Sequence, residues 1–195
     1  YYEFHDEMFW VEGDEGEELG IKPMNCPGHC IIFSLSKRSY RELPLRLAEF
    51  SRLHRNERSG TLTGLARVRA MAQDDGHIFC EPAQIQPECV DFHRQSLAVY
   101  RDFGFEDIVV KLALRPTPRI GSDEQWERAE EALRDALRAS GAQWQELPGE
   151  GAFYGPKLEF HIHDALKRSW QLGTMQVDYA LPDRFDLEFV GRDGK

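Results

Sequence analysis

The stretch Arg46–Cys80, RLAEFSRLHRNERSGTLTGLARVRAMAQDDGHIFC, decides the fold. It reads as two strands joined by a polar loop. The first covers about Leu47–Asn56 and the second starts near Leu65, with Ser59, Gly60 and Gly64 breaking the pattern between them. Alternate side chains of a strand point to opposite faces. One face of the second strand then carries Arg67, Arg69, Met71, Gln73, Asp75 and His77, over a small backing of Val68, Ala70, Ala72 and Asp74. Arg55 and Glu57 share a parity on the first strand and can join the polar face. Most polar strand faces are plain solvated surface. Such surface favours Thr, Lys and Glu, whereas this face mixes Arg, Gln, Asp and His. Between Lys37 and Arg69, nine Lys or Arg stand against three Glu, in a chain of net charge −10. A basic sheet face in an acidic protein points to an anionic ligand such as phosphate.

The 195 residues, 41% hydrophobic and 30% charged, suffice for one globular domain with a real core. No apolar run reaches membrane-spanning length, and no signal peptide opens the chain. The opening YYEFHDEMFW and the closing FVGRDGK read as interior stretches of a longer protein. Four cysteines in a chain of this size do not make a disulfide framework; reduced thiols or metal ligands in a cytosolic protein are expected.

Ahead of the central hairpin, Tyr1–Trp10 reads as an aromatic edge segment, Glu12–Glu18 as an acidic loop and Ile21–Met24 as a short strand. Pro27 suits the first turn of a helix whose buried side is expected to be Ile31, Ile32 and Leu35. After Cys80 a regular helix is expected from about Gln86, because Pro87 cannot sit unperturbed inside one, with Val90, Leu97 and Tyr100 toward the core. Ile108–Leu114 is β-prone. A helix follows, capped by Ser122 and Gln125, carrying Trp126, Ala129, Leu133, Ala136 and Leu137 at helical spacing, and ended by Gly141. In Phe153–His163, Leu158, Phe160 and Ile162 face inward and Lys157, Glu159, His161 and His163 the other way. Trp170–Leu181 is a further strand with Thr174, Gln176 and Asp178 on one side. The sum is an antiparallel sheet flanked by helices, an α+β fold.

Metal candidates are Cys26, His29, Cys30, His77 and Cys80. Cys-Pro-Gly-His-Cys lacks the familiar paired spacings. Cys30, Cys80 and Cys89 read better as buried thiols, and His29 as a cap for the following helix. Cys26, in a tight turn, and His77, on the polar face, are the more informative pair. Two ligands do not make a zinc site; a third from elsewhere, with one position open, would present the metal to a substrate. His161 and His163 flank Ile162 on what reads as a half-exposed strand. There is no nucleophile elbow, Walker loop or dinucleotide fingerprint, so phosphate binding falls to Arg55 and Arg67.

KPMNCPGH (Lys22–His29), LPLRLAEFSRLHRNERSGTLTGLARVRAMAQDDGHIFC (Leu43–Cys80), GEGAFYGPKLEF (Gly149–Phe160) and WQLGTMQVDY (Trp170–Tyr179) together resemble the threonyl-tRNA synthetase family of class II enzymes. The resemblance covers essentially the whole chain. It implies a partial catalytic domain over residues 1–195, with an antiparallel sheet and helices. Arg55-Asn56-Glu57 with Arg67 is similar to the class II motif 2. By the same resemblance, Arg55 contacts the ATP α-phosphate, Glu57 the adenine and Arg67 the γ-phosphate. Gln73, Asp75, Tyr154 and Lys157 match the threonine and adenylate pocket. Gln171, Thr174 and Gln176 match the strand beside nucleotide and substrate. Cys26 and His77 match two of three zinc ligands, the third being a His beyond Lys195. Met71 stands where class II enzymes usually lay an aromatic ring on adenine; methionine is polarizable and can cover a ring too. Motif 1, motif 3, and the editing and anticodon-binding domains match nothing in the chain.

The resemblance further implies ATP-dependent activation of threonine, transfer to tRNA(Thr), Zn2+ and Mg2+ as cofactors, a homodimer and a cytoplasmic location. Arg55 and Lys157 are the expected catalytic residues. Two other readings stand beside it. One is a non-catalytic, synthetase-like module that holds zinc or nucleotide. The other is a zinc hydrolase, which would need Asp75 as a base beside metal-bound water.

Overall fold

The structure, a computed structural model, describes residues 2–194. It divides into two compact units, residues 1–79 with 188–195, and residues 80–187.

In the first unit Tyr1 lies outside the described residues, and a 3-10 helix over Tyr2–Glu7 leads into strand β1 (Phe9–Glu12). β1 pairs antiparallel with β2 (Glu18–Ile21) across the acidic loop. The strand expected at Ile21–Met24 thus ends where it was to begin. Helix α1 (Cys26–Ser34) has Pro27 in its first turn. Its covered side is not the one expected: His29, Cys30 and Phe33 are buried, whereas Ile31, Ile32 and Leu35 are exposed. Helical periodicity marks an apolar stripe but not which stripe a sheet covers. Here the sheet chooses, with Phe33 stacked on Phe79 at 4.6 Å between ring centroids.

The short strand β3 (Arg38–Ser39) precedes the hairpin of β4 (Leu45–His54) and β5 (Ala70–Phe79), antiparallel throughout. Both strands differ in extent from the sequence reading. β4 stops at His54, so Arg55 and Glu57 lie past its end. β5 starts at Ala70, so Arg67 and Arg69 belong to the connection. That connection folds on itself: the Arg55 N–H donates to the Arg69 carbonyl at 2.9 Å, and Thr63 bridges Arg67. Leu47, Glu49, Ser51 and Leu53 sit opposite His77, Asp75, Gln73 and Met71 on one face. This polar face is the protected one. The supposed backing of Ala70, Ala72 and Asp74 is exposed, as is Phe50.

The second unit opens with α2 (Pro82–Asp102), one continuous helix that takes Pro87 inside it. Pro82 occupies the first turn, and Pro87 withholds only the bond to the Ala83 carbonyl, at an exposed position where water can reach it. Val90, Leu97 and Tyr100 pack on the core as expected. Strand β6 (Ile108–Ala113) is followed by α3 (Asp123–Ser140). The Ser122 hydroxyl accepts from the Gln125 N–H at 3.2 Å, the Gln125 side chain accepts from the Ser122 N–H at 2.9 Å, and Gly141 ends the helix at φ +68°. Strands β7 (Trp144–Leu147), β8 (Lys157–His163) and β9 (Ser169–Gln176) complete a sheet of order β7-β6-β8-β9. Its β6–β7 pair is parallel, the others antiparallel, so the α+β fold carries one parallel edge. Leu112, Leu158 and Phe160 of this sheet and Leu133 of α3 are at the centre of the core.

β9 ends sooner than expected. Asp178 is not a strand residue: its side chain accepts the Ala180 and Leu181 N–H groups and starts α4 (Ala180–Arg184). Glu159, expected on the outer face, is 6% exposed. The strand β10 (Phe189–Val190), in the first unit, pairs parallel with β3.

Candidate active site

In the first unit, β5 delivers its alternate residues to one face, and the segment before α1 lies against it. The Lys22 ammonium donates to the Asn25 side-chain oxygen at 2.8 Å and to Ser51 Oγ at 2.9 Å, and reaches Glu49 at 3.4 Å. Asn25 Nδ2 donates to Asp75 Oδ2 at 3.1 Å. His29 does not cap α1; it sits within it, 5% exposed, its Nδ1 2.7 Å from His77 Nδ1 and its Nε2 3.7 Å from Glu49. Burial is the main cause that holds the His77 imidazole below its ordinary pKa, and His29 adds to it against the pull of Asp75 and Glu49. Cys26, half-buried, opens α1. Cys30 and Cys89 are buried thiols as expected, but Cys80 is only half-buried.

Where β5 begins, a cavity of about 370 Å3 opens between Arg55, Glu57, Leu65, Arg67 and Met71. That volume suits a small ligand. The Arg67 guanidinium pairs with Glu57 Oε2 at 3.0–3.1 Å. Arg69 Nε donates to the Glu57 carbonyl at 3.0 Å, and Arg55 Nε to the Pro23 carbonyl at 3.2 Å. The walls therefore offer guanidinium groups for an anion, an acidic side chain for amino donors and a thioether for a flat ring.

In the second unit the β8–β9 register sets Lys157, Glu159 and His161 beside Gln176, Thr174 and Gln171. Glu159 bridges Lys157 Nζ at 2.8 Å and His161 Nε2 at 2.9 Å. Burial opposes its charge, but these two partners prevail and keep its carboxyl below the usual range. Tyr154 donates to the Gln176 side-chain oxygen at 2.7 Å, and Gln171 to Thr174 at 3.0 Å.

The residues read from the sequence therefore fall into two sets. Cys26, Arg55, Glu57, Arg67, Met71, Gln73, Asp75 and His77 belong to the first unit, and Tyr154, Lys157, Gln171, Thr174 and Gln176 to the second. The reading missed Lys22, Asn25, Glu49, Ser51 and Glu159. The first two lie inside the quoted KPMNCPGH motif, and Glu49 and Ser51 share the strand parity that singled out Arg55 and Glu57.

The chain belongs to the class II synthetase family: the model of the tRNA synthetase class II core domain (G, H, P, S and T) matches residues 9–195. Within it, the chain is similar to threonine–tRNA ligases. It is 58% identical over 193 residues to that of Ralstonia nicotianae, covering 99% of this chain and 30% of the ligase. To that of Dechloromonas aromatica it is 56% identical, with the same coverage. Among solved structures, one described as the RNA binding domain of threonyl-tRNA synthetase from Cryptosporidium parvum superposes with TM-score 0.93 at 47% identity, over 99% of this chain and 48% of that one. The chain thus spans 30% of the length of these curated ligases.

Proposed function

We propose that this chain is part of the catalytic domain of a threonine–tRNA ligase, and that it serves the ATP-dependent formation of threonyl-adenylate before transfer of threonine to tRNA(Thr). One observation carries the reading. A single strand, β5, puts Met71 in the wall of a cationic cavity and Gln73, Asp75 and His77 at the following alternate positions of the same protected face. Nucleotide and amino acid would be read by neighbouring residues of one strand.

A threonine carboxylate oxygen attacks the α-phosphorus of ATP, and pyrophosphate leaves. Arg55 would neutralise the charge that grows on the α-phosphate oxygens, and Arg67 would take the γ-phosphate. Glu57 would accept from the adenine amino group while Met71 covers the ring. In the second unit we assign Tyr154, Lys157 and Gln176 to threonine and the adenylate, with Lys157 as the second catalytic cation, and Gln171 and Thr174 to the nucleotide. No protein nucleophile is required; positioning and electrostatics supply the rate.

The metals belong to the same proposal: Mg2+ with ATP, and Zn2+ at Cys26 and His77. A thiolate and an imidazole suit zinc, and His77 has its Nδ1 engaged by His29, as metal-binding histidines commonly have one ring nitrogen held. Among the described residues no three His, Cys, Asp or Glu side chains group to hold a metal ion, so a third ligand must come from outside them. Zinc, when bound, would supply an open position for the amino group and hydroxyl of threonine. That matters because an apolar pocket separates such near-isosteres as threonine and valine by only about 10². No described helix is long and apolar enough to cross a membrane. A cytoplasmic homodimer complete the reading as proposals.

ATP–pyrophosphate exchange with threonine, valine and serine tests it on the protein that carries this chain. Threonine should drive exchange and valine should not. Binding of ATP and threonine without exchange would favour a non-catalytic synthetase-like module.

A further inference from the structure

We infer that Asn25 is a specificity-positioning residue: it aims the Asp75 carboxylate at the hydroxyl of the amino-acid substrate while touching no substrate itself. The inference rests on the proposed reading of β5, in which Asp75 is among the residues that meet the amino acid, and adds that its carboxylate accepts the proton of the threonine hydroxyl.

Asn25 is 1% exposed and stands at the N-cap of α1. An asparagine there ordinarily turns its side chain to the helix and accepts a backbone N–H. This one makes no such bond. Its amide is committed elsewhere, and its orientation follows from the chemistry of its neighbours. An ammonium can only donate, so the atom 2.8 Å from Lys22 Nζ must be the amide oxygen. Ser51 Oγ accepts from Lys22 at 2.9 Å and gives its own proton to the same oxygen at 2.7 Å. The amide NH2 is thereby forced toward Asp75, where it donates to Oδ2 at 3.1 Å.

The donors run one way, from Lys22 and Ser51 through Asn25 to Asp75. A flipped amide would set NH2 against an ammonium and an oxygen against a carboxylate, so the chain has one register. With Oδ2 held, Asp75 cannot swing, and its other oxygen keeps its lone pairs for a hydroxyl donor. A methyl in place of that hydroxyl leaves the oxygen facing carbon, with no freedom to turn elsewhere. Rigid presentation of the acceptor is what makes the missing hydroxyl costly.

The test compares Asn25→Ala, Asp75→Ala and the double variant in the protein that carries this chain. It reads kcat/KM for threonine and for valine in pyrophosphate exchange, KM for ATP, and a thermal melt. Asn25→Ala should lower the threonine-to-valine ratio about tenfold, the loss of a hydrogen bond to a charged group. KM for ATP should hold, and Asn25→Ala should change the ratio no further once Asp75 is alanine. Asn25→Asp, which keeps the size but sets an oxygen against the carboxylate, should be worse than alanine. If Asp75→Ala lowers the ratio and Asn25→Ala does not, or the two effects add, the inference is overturned and the reading of Asp75 survives. If Asp75→Ala leaves the ratio unchanged, that reading fails and the inference falls with it. Should Asn25→Ala not fold, Ser51→Ala removes one of the two donors that orient the amide. A smaller fall in the same ratio is then expected, and an unchanged ratio overturns the inference.

Discussion

Arg115 holds Glu130 by three bonds: its backbone N–H donates to Oε1 at 2.9 Å, its Nε to the same oxygen at 3.0 Å, and its Nη2 to Oε2 at 2.7 Å. Glu130 is 3% exposed. Burial alone would raise its pKa, but the bonds from Arg115 outweigh burial and hold the carboxyl below the usual value. The folded pKa therefore lies under the unfolded one. The stabilisation is fully present above the unfolded value and is lost as pH falls through the folded one. Glu130→Ala should melt earlier at neutral pH, by an amount near or below the low end of about 3–5 kcal/mol, because the stranded Arg115 can turn to water. The variant should also lose less stability than wild type on acidification below about pH 5. Parallel acid melts would decide against the assignment.

Arg55→Ala should abolish adenylate formation and leave the fold intact. Its guanidinium is anchored to the Pro23 carbonyl at the edge of the cavity rather than in any apolar core. Loss of a charged contact made in the transition state should reduce exchange by about 10² or more. Exchange within tenfold of wild type would remove Arg55 from the phosphate site.

Zinc should bind this chain weakly. Cys26 and His77 are the two proposed ligands it contains, and an open catalytic site takes three. Dialysis of the chain against a mild chelator should strip the metal. Stoichiometric zinc retained after dialysis would mean a third ligand within the chain, with His29, in contact with His77, the first suspect.

Cys80 and Cys89 should resist alkylation at pH 8 while the chain is folded. Burial pushes the Cys80 thiol up to about 11 and the Cys89 thiol to about 12, with Glu88 adding to both. Only the thiolate reacts, so each is nearly all unreactive thiol at that pH. Mass spectrometry after brief iodoacetamide treatment should find both unmodified, and both labelled once urea unfolds the protein. Early labelling of Cys89 in the native chain would contradict its burial.

The hairpin and the capped helix α3 were legible because their signals are local. Strand parity placed Gln73, Asp75 and His77 on one face, and Ser122 with Gln125 marked a helix start that needs no distant partner. The errors arose where a distant element decides. Which side of α1 is covered depends on β5, so Ile31 and Ile32 looked like core and His29 did not. Arg67 and Arg69 continued the alternation of β5 but are drawn into the connection by the bond between Arg55 and Arg69. Pro87 looked like a helix boundary because sequence does not say whether the orphaned carbonyl faces water. Asn25 was passed over because its partners, Ser51 and Asp75, lie 26 and 50 residues away.

Among the described residues the β4–β5 hairpin forms a sheet of its own, and a two-stranded ribbon has little stability alone. Its protected face is fastened in part by the bonds that run from Lys22 and Asn25 to Ser51 and Asp75. Under the proposed reading of Asp75, mortar and measuring instrument are therefore the same atoms. A lineage drifting toward another amino acid could not alter the reading groups without loosening the ribbon that bears them. It would first have to gather surplus stability at unrelated positions, and such compensating changes are where the history of any altered preference would be written.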